Sequence, residues 1–129
     1  MPSSFRIARA LIERLEESAT GRITHPALQA DIPEERRRQA TASAEVIGGG
    51  LADKFPFAGT TRPNATDTAE LILNRTWRPA LEVIGAEGLP ASSEAGNVLR
   101  PRTALRLSLR LPPTVDGETA TRAMAETLT

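Results

Sequence analysis

Residues 104 to 111 read Ala-Leu-Arg-Leu-Ser-Leu-Arg-Leu, and every second side chain in this stretch is a leucine. Side chains alternate between the two faces of a β-strand, so this period of two predicts a strand with one buried leucine face and one face in water. Pro112 and Pro113 follow directly. Neither proline can donate a hydrogen bond to a sheet, and we therefore expect the strand to end at Leu111.

An earlier strand is predicted from about Thr76 to Ile84, where Trp77, Leu81 and Val83 are spaced as on an extended chain. Pro79 falls inside this stretch and implies an edge position or a bulge. Gly85 and Gly88 follow the stretch and mark its end. The chain is thus expected to contain a small antiparallel sheet of two strands.

Helices are predicted on both sides of these strands. Ser3 or Ser4 can cap a helix that begins near Phe5 and has Gly21 as a plausible end. Thr66 or Asp67 can cap a short helix over 68–74. A last helix opens at Asp116 or Gly117 and runs to Thr129, with its small and apolar residues on one side.

Residues 22 to 66 form an irregular insert with four prolines and the run Gly48-Gly49-Gly50. One helix is predicted inside it, from about Pro33 to Ile47. Its Arg36-Arg37-Arg38 run spreads around the helix, which favours a solvated face over a nucleic-acid patch. No strand precedes the glycine run and no Lys-Ser or Lys-Thr pair follows it, so we interpret it as a helix stop and a connector, not a phosphate loop.

These elements predict an α+β chain, a single partial domain over 1–129 that resembles the middle of a ferredoxin-like split β-α-β unit. Helices would cover one face of the small antiparallel sheet. A sheet of two strands seldom stands alone. We therefore expect the unit to lack an outer strand before Phe5 and another after Thr129.

Composition excludes several classes of function. Sixteen basic residues balance sixteen acidic ones, which argues against binding to nucleic acid or to an anionic membrane, and no apolar stretch is long enough to span a bilayer. There is no cysteine and one histidine, His25, so a metal or thiol active site made by this chain alone is not expected. The opening Met1-Pro2-Ser3-Ser4 does not resemble an export signal, which predicts a cytoplasmic location.

Two parts of the sequence resemble a known family. The first is Leu73–Gly85 (LNRTWRPALEVIG) followed by Gly88–Pro90, and the second is Ala95–Pro101 (AGNVLRP) running into Leu107–Pro113 (LSLRLPP). Together they resemble the lid, or dimerisation, domain of dinuclear zinc peptidases such as carnosinase-like dipeptidases, carboxypeptidase G and aminoacylase. The segment Pro2–Arg9 is similar to the corresponding helix start in the bacterial dipeptidase branch.

The resemblance implies a truncated fragment of a hydrolase. In such metallopeptidases a separate catalytic domain holds two zinc ions, and a zinc-bound water attacks the peptide bond. The lid pairs with a second lid across a twofold axis and helps to hold the peptide substrate. This chain would contain no cofactor of its own, would be inactive alone, and would have the catalytic domain and a second copy as partners.

The resemblance also implies two substrate-binding residues. Asn97 matches a polar position before a turn of the lid, and Arg110 matches an arginine near the end of the next strand. A guanidinium there would clamp a terminal carboxylate through two parallel hydrogen bonds. The family's lid histidine lies before the first helix, so His25 is not assigned that role and is read as a surface loop residue.

Simpler interpretations remain open. Asn97 could occupy an ordinary turn, and both Arg106 and Arg110 could be exposed strand positions without a ligand. The chain as a whole could be a free-standing module that binds small molecules, or a structural piece that assembles through an edge strand near 76–84. For the structural piece, uncovered apolar surface predicts a dimer or larger species.

Overall fold

The computed structural model describes residues 2–129. The elements within these residues are, in chain order, α1 (Ser4–Ile12), β1 (Glu16–Glu17), β2 (Arg22–Ile23), α2 (Glu34–Ile47), α3 (Thr68–Thr76), β3 (Ala80–Glu87), β4 (Ala104–Arg110) and α4 (Gly117–Leu128). Short 3₁₀ turns lie at Pro26–Leu28, Gly48–Leu51 and Ser92–Glu94. The predicted α+β class is confirmed, and the arrangement is compatible with a partial ferredoxin-like split β-α-β unit.

The leucine-rich stretch forms β4, which pairs antiparallel with β3. Leu109 lies opposite Leu81 and Leu107 lies opposite Val83, so the leucines share one face of the sheet with the apolar residues of β3. On the opposite face Arg106, Ser108 and Arg110 are exposed. The alternation predicted from the sequence is confirmed over this strand.

The predicted start of β3 was wrong. Helix α3 continues to Thr76, the Trp77 amide donates to the Leu73 carbonyl at 2.8 Å, and the strand begins only at Ala80. Trp77 packs against the paired helices α2 and α3 and is not part of the sheet. The proline therefore precedes the strand, and the irregularity in β3 lies instead between Val83 and Gly85.

The main core lies between α4, the leucine face of the sheet and the segment after α1. Leu15, Ile23 and Leu28 are fully buried there, together with Ala120 of α4. Partly buried side chains complete this core: Leu81, Leu109, Leu111, Val115, Met124 and Leu128. The side-chain oxygen of Asp116 accepts from the Thr119 amide at 2.8 Å, which confirms the predicted start of α4.

Helix α1 ends at Ile12 and does not reach Gly21. The chain turns, forms the short β1–β2 hairpin, and reverses at Gly21, whose φ of +69° favours glycine. This reversal brings Ile23 next to Leu15 in the main core. The burial of these two residues explains why the helix stops, because a continuing helix would carry Leu15 away from Ile23.

A second, separate cluster joins α2 and α3. Ala40, Ala69 and Leu73 are buried there, with Trp77 packed against them. The predicted bounds of α2 are confirmed, and Gly48 ends the helix with φ of +59°. Asp67 caps α3 by accepting from the Ala69 amide at 2.9 Å.

The start of α1 is attached to the segment that leads into β4. Ser4 Oγ donates to the Arg100 carbonyl at 2.9 Å and lies 2.9 Å from Thr103 Oγ1. Ser3 occupies the capping position, but its side chain makes no capping hydrogen bond. The hydroxyl cap predicted for this helix is therefore absent, and Ser4 instead joins two parts of the chain that are far apart in sequence.

Within residues 2–129 no helix is long and apolar enough to cross a membrane.

Candidate functional site

Arg110 is the last residue of β4, and its main chain lies opposite Ala80, the first residue of β3. Its side chain is exposed, and Nη2 donates a long hydrogen bond of 3.4 Å to the main-chain carbonyl of Asn74. Within residues 2–129 no carboxylate lies within ion-pair distance of Arg110. The guanidinium charge is therefore available to an external anion.

The contact with Asn74 satisfies a helix end. Asn74 belongs to the last turn of α3, where the Leu73 carbonyl accepts from both the Trp77 amide (2.8 Å) and the Arg78 amide (3.1 Å). In a regular helix the Arg78 amide would donate to the Asn74 carbonyl. Here it donates to the Leu73 carbonyl, one residue earlier, and the Asn74 carbonyl is left for Arg110. A cation at this end of a helix also interacts favourably with the helix dipole.

Arg78 lies beside this contact but is already occupied. Its Nη1 is 2.7 Å from Glu70 Oε2 and 2.5 Å from Asn74 Oδ1. Glu70, Asn74 and Arg78 are spaced four residues apart, the spacing at which side chains on a helix meet. This four-residue spacing is the sequence signal for the group, whose members were not among the predicted site residues.

The exposed face of the sheet carries both signs of charge. Glu82 lies opposite Ser108, between the positions of Arg106 and Arg110 on the neighbouring strand. Burial raises the pKa of Glu16 on the adjacent hairpin, and the charge of Glu82 raises it further. The two glutamates would repel a negatively charged ligand on this surface, and the two arginines would attract it.

Asn97 lies in the loop between the 3₁₀ turn Ser92–Glu94 and β4, and it is exposed. The Val98 amide donates to the Gly96 carbonyl at 2.8 Å, which places Asn97 at the centre of a tight three-residue turn. In the described part of the chain its side chain makes no hydrogen bond. Asn97 thus occupies a turn, as the simpler interpretation proposed, with its amide exposed to the solvent.

The structure does not bring the two candidate residues into contact. Asn97 lies in the loop before β4, whereas Arg110 is the last residue of that strand. No hydrogen bond joins them in residues 2–129.

His25 has a local structural role. Its Nδ1 accepts from the Ala27 amide at 3.2 Å, at the start of the 3₁₀ turn Pro26–Leu28, and the side chain is half-buried. Among the described residues, no group of three or more His, Cys, Asp and Glu side chains is arranged to hold a metal ion. The donors of this chain therefore do not fit the dinuclear zinc centre that the resemblance implies for the parent enzyme.

Comparison with known proteins gives a result at the level of structure. No protein-family model matches the chain, and no curated protein matches it. A solved structure that is similar over 99% of the chain is the M20 family metallo-carboxypeptidase Sso-CP2 from Sulfolobus solfataricus, with a TM-score of 0.73 and 16% identity. The chain has the fold of part of an M20 metallopeptidase.

Two further structures are similar over the same 99% of the chain. Human carnosine dipeptidase 1 gives a TM-score of 0.67 with 21% identity, and the di-peptidase Dug1p from Saccharomyces cerevisiae gives 0.67 with 18%. The chain spans only 29%, 27% and 26% of these three proteins in the order given. The family resemblance predicted from the sequence is therefore confirmed at the level of fold, for a segment of less than a third of each enzyme.

Proposed function

We propose that this chain is the lid and dimerisation domain of a zinc-dependent dipeptidase or related amidohydrolase, and that it has no hydrolytic activity alone. The observation that carries the proposal is the likeness to M20 metallopeptidases along 99% of the chain, at about a quarter of their length. In this proposal the chain's contribution is the binding of substrate. The catalytic domain of the same parent protein is the partner that holds the metal.

Arg110 is the residue we propose to bind the terminal carboxylate of the peptide. It is exposed and free of acidic partners within residues 2–129, whereas the nearby Arg78 is paired with Glu70. A planar guanidinium can give two parallel hydrogen bonds to a carboxylate, which a lysine cannot reproduce. Asn97 is proposed as a second contact, because its exposed amide can both donate and accept.

The proposal includes a homodimer. Val83 and Ile84 on β3 are 51% and 61% exposed, which leaves apolar surface on one strand of a two-stranded sheet. Apolar side chains exposed together on a strand favour pairing with another chain. A second copy of this chain is the partner that the lid interpretation requires.

The alternative of a free-standing small-molecule module has less support. Two open grooves lie on the surface, one along α2 and the other between α1 and residues 101–103. Neither includes Asn97 or Arg110, and neither is enclosed in the way that small-molecule sites usually are.

Two measurements separate these functions. Peptide hydrolysis is assayed with the purified chain in zinc or manganese, and the proposal predicts no turnover, whereas metal-dependent turnover would contradict it. Calorimetry with dipeptides then tests binding. We expect weak binding that R110K and R110A both abolish, because neither substitution keeps the two parallel hydrogen bonds. Tight stoichiometric binding that survives in R110A would favour the free-standing module.

A further inference from the structure

We propose that Glu70, Asn74 and Arg78 are positioning residues that fix the orientation of the Arg110 guanidinium. This inference rests on the proposed carboxylate-binding role of Arg110 and extends it to a group on another element. The four residues come from α3, the turn after it and the end of β4. Together they would hold one part of the guanidinium and leave its other N–H groups for a carboxylate.

The position of Arg110 is fixed at the backbone by the sheet. Its main chain pairs with Ala80, and the next pair along the strands is Leu81 with Leu109, both packed in the main core. The residue before Ala80 is Pro79, which is buried. The start of Arg110's side chain is therefore held close to the junction between α3 and β3.

The direction of the side chain depends on the last turn of α3. Arg110 Nη2 donates to the Asn74 carbonyl, which is the one hydrogen bond that the guanidinium makes within residues 2–129. A guanidinium has five N–H groups in a planar fork. With one of them directed at this carbonyl, the position of that nitrogen is restrained and the remaining donors are free for a ligand.

The position of that carbonyl depends in turn on Arg78. This residue lies beyond the end of α3, yet its guanidinium reaches back to Glu70 Oε2 and to Asn74 Oδ1. Its amide also bonds to the Leu73 carbonyl, one residue earlier than a regular helix would require. Arg78 thus fixes where the helix ends and keeps the Asn74 carbonyl unoccupied by the main chain.

Arginine suits this position better than lysine. Glu70 and Asn74, on successive turns, are both contacted by the same guanidinium nitrogen, Nη1. The shorter side chain of a lysine would not place its ammonium nitrogen at the same point. Replacement of Arg78 by lysine should keep the charge but lose part of this geometry. Replacement of Glu70 by glutamine should keep a hydrogen bond and remove the ion pair.

The test uses the whole 129-residue chain labelled with ¹⁵N. The Nε–H signal of Arg110 is assigned by its disappearance in R110K, and its order parameter is measured by NMR relaxation. We expect a restrained Arg110 side chain in the parent chain, an intermediate one in R78K and E70Q, and a mobile one in R78A. R75A is the matched control, because Arg75 is exposed on the same helix and makes no hydrogen bond in the described residues.

The same variants are then titrated with N-acetylglycine as a carboxylate probe. Loss of orientation should weaken its affinity about three- to tenfold in R78A, as expected for one hydrogen bond, and leave it unchanged in R75A. An Arg110 signal equally restrained in R78A, R78K and E70Q, all with native amide spectra, would overturn the inference. If the parent chain binds no N-acetylglycine, the proposed role of Arg110 fails, while the relaxation data still decide whether α3 positions it.

Discussion

Gly88 lies directly against the main-chain carbonyl of Arg102, so close that a Cβ atom at Gly88 would overlap that oxygen. The residue also has φ of +85°, a conformation that is unfavourable for any residue with a side chain. Gly88 starts the loop of residues 88–103, which returns to β4 and carries Asn97. The close approach therefore sets the path of this loop.

We predict that G88A destabilises the chain by at least about 1 kcal/mol, from the backbone conformation alone, and displaces this loop. Chemical denaturation measures the first effect, and amide shifts of residues 95–101 report the second. G117A is the control, since a Cβ at Gly117 meets no atom within 4 Å and φ there is not positive. Equal stability of the parent chain and G88A would show that the close approach is not maintained in solution.

The second prediction concerns the main core. Leu15 is fully buried between the hairpin, the 3₁₀ turn and α4, so L15A should lower the free energy of unfolding by about 2–5 kcal/mol. Val46 on α2 is 89% exposed, and V46A should change stability by less than about 0.5 kcal/mol. Urea denaturation followed by circular dichroism compares the two. A similarly small loss of unfolding free energy in both variants would contradict the burial of Leu15 in the main core.

The sequence predicts elements well where the signal is local. The alternating leucines determine β4, and the proline start and glycine stop of α2 are visible within their own neighbourhoods. The β1–β2 hairpin was not predicted, because its residues are mostly polar and its position depends on the joint burial of Leu15 and Ile23. The start of β3 was misplaced for a similar reason, since Trp77 is partly buried against α2 and α3 and does not belong to the sheet.

The candidate site likewise combines features that a local sequence pattern indicates with features that depend on the folded chain. The resemblance selects Arg110, and the four-residue spacing of Glu70, Asn74 and Arg78 is readable along α3 and the turn that follows it. The contact between Arg110 and Asn74 joins residues 36 positions apart, and no local pattern indicates it. It depends on the pairing of β3 with β4, which is a property of the folded chain.

The third prediction is a pH dependence from Glu16. Burial and the nearby charge of Glu82 raise the pKa of Glu16 above its value in the unfolded chain. Between these two pKa values the folded chain binds more protons than the unfolded chain, so stability decreases as the pH rises through this interval. In E16Q the decrease in stability that Glu16 causes should be absent. We therefore expect E16Q to be more stable than the parent chain at neutral pH.

Denaturation at a series of pH values between about 4 and 7 tests the prediction. E13Q serves as the control, because Glu13 is exposed and close in sequence, and it should keep the slope of the parent chain. A parent slope that E16Q leaves unchanged would assign the dependence to other groups. E82Q should also make the decrease of stability with pH smaller than in the parent chain, since it removes the second cause of the raised pKa of Glu16.

The last prediction concerns self-association through β3. Ile84 lies in the irregularity between Val83 and Gly85, has no partner in the register with β4, and is 61% exposed. A lysine there would place a charge against its own copy if two β3 strands meet about a twofold axis. Sedimentation velocity at several concentrations should show association of the parent chain and a shift toward monomer in I84K. V46K introduces the same charge on α2 and should associate like the parent, so that equal effects of the two substitutions, or a parent chain that stays monomeric at all concentrations, would argue against β3 as the contact.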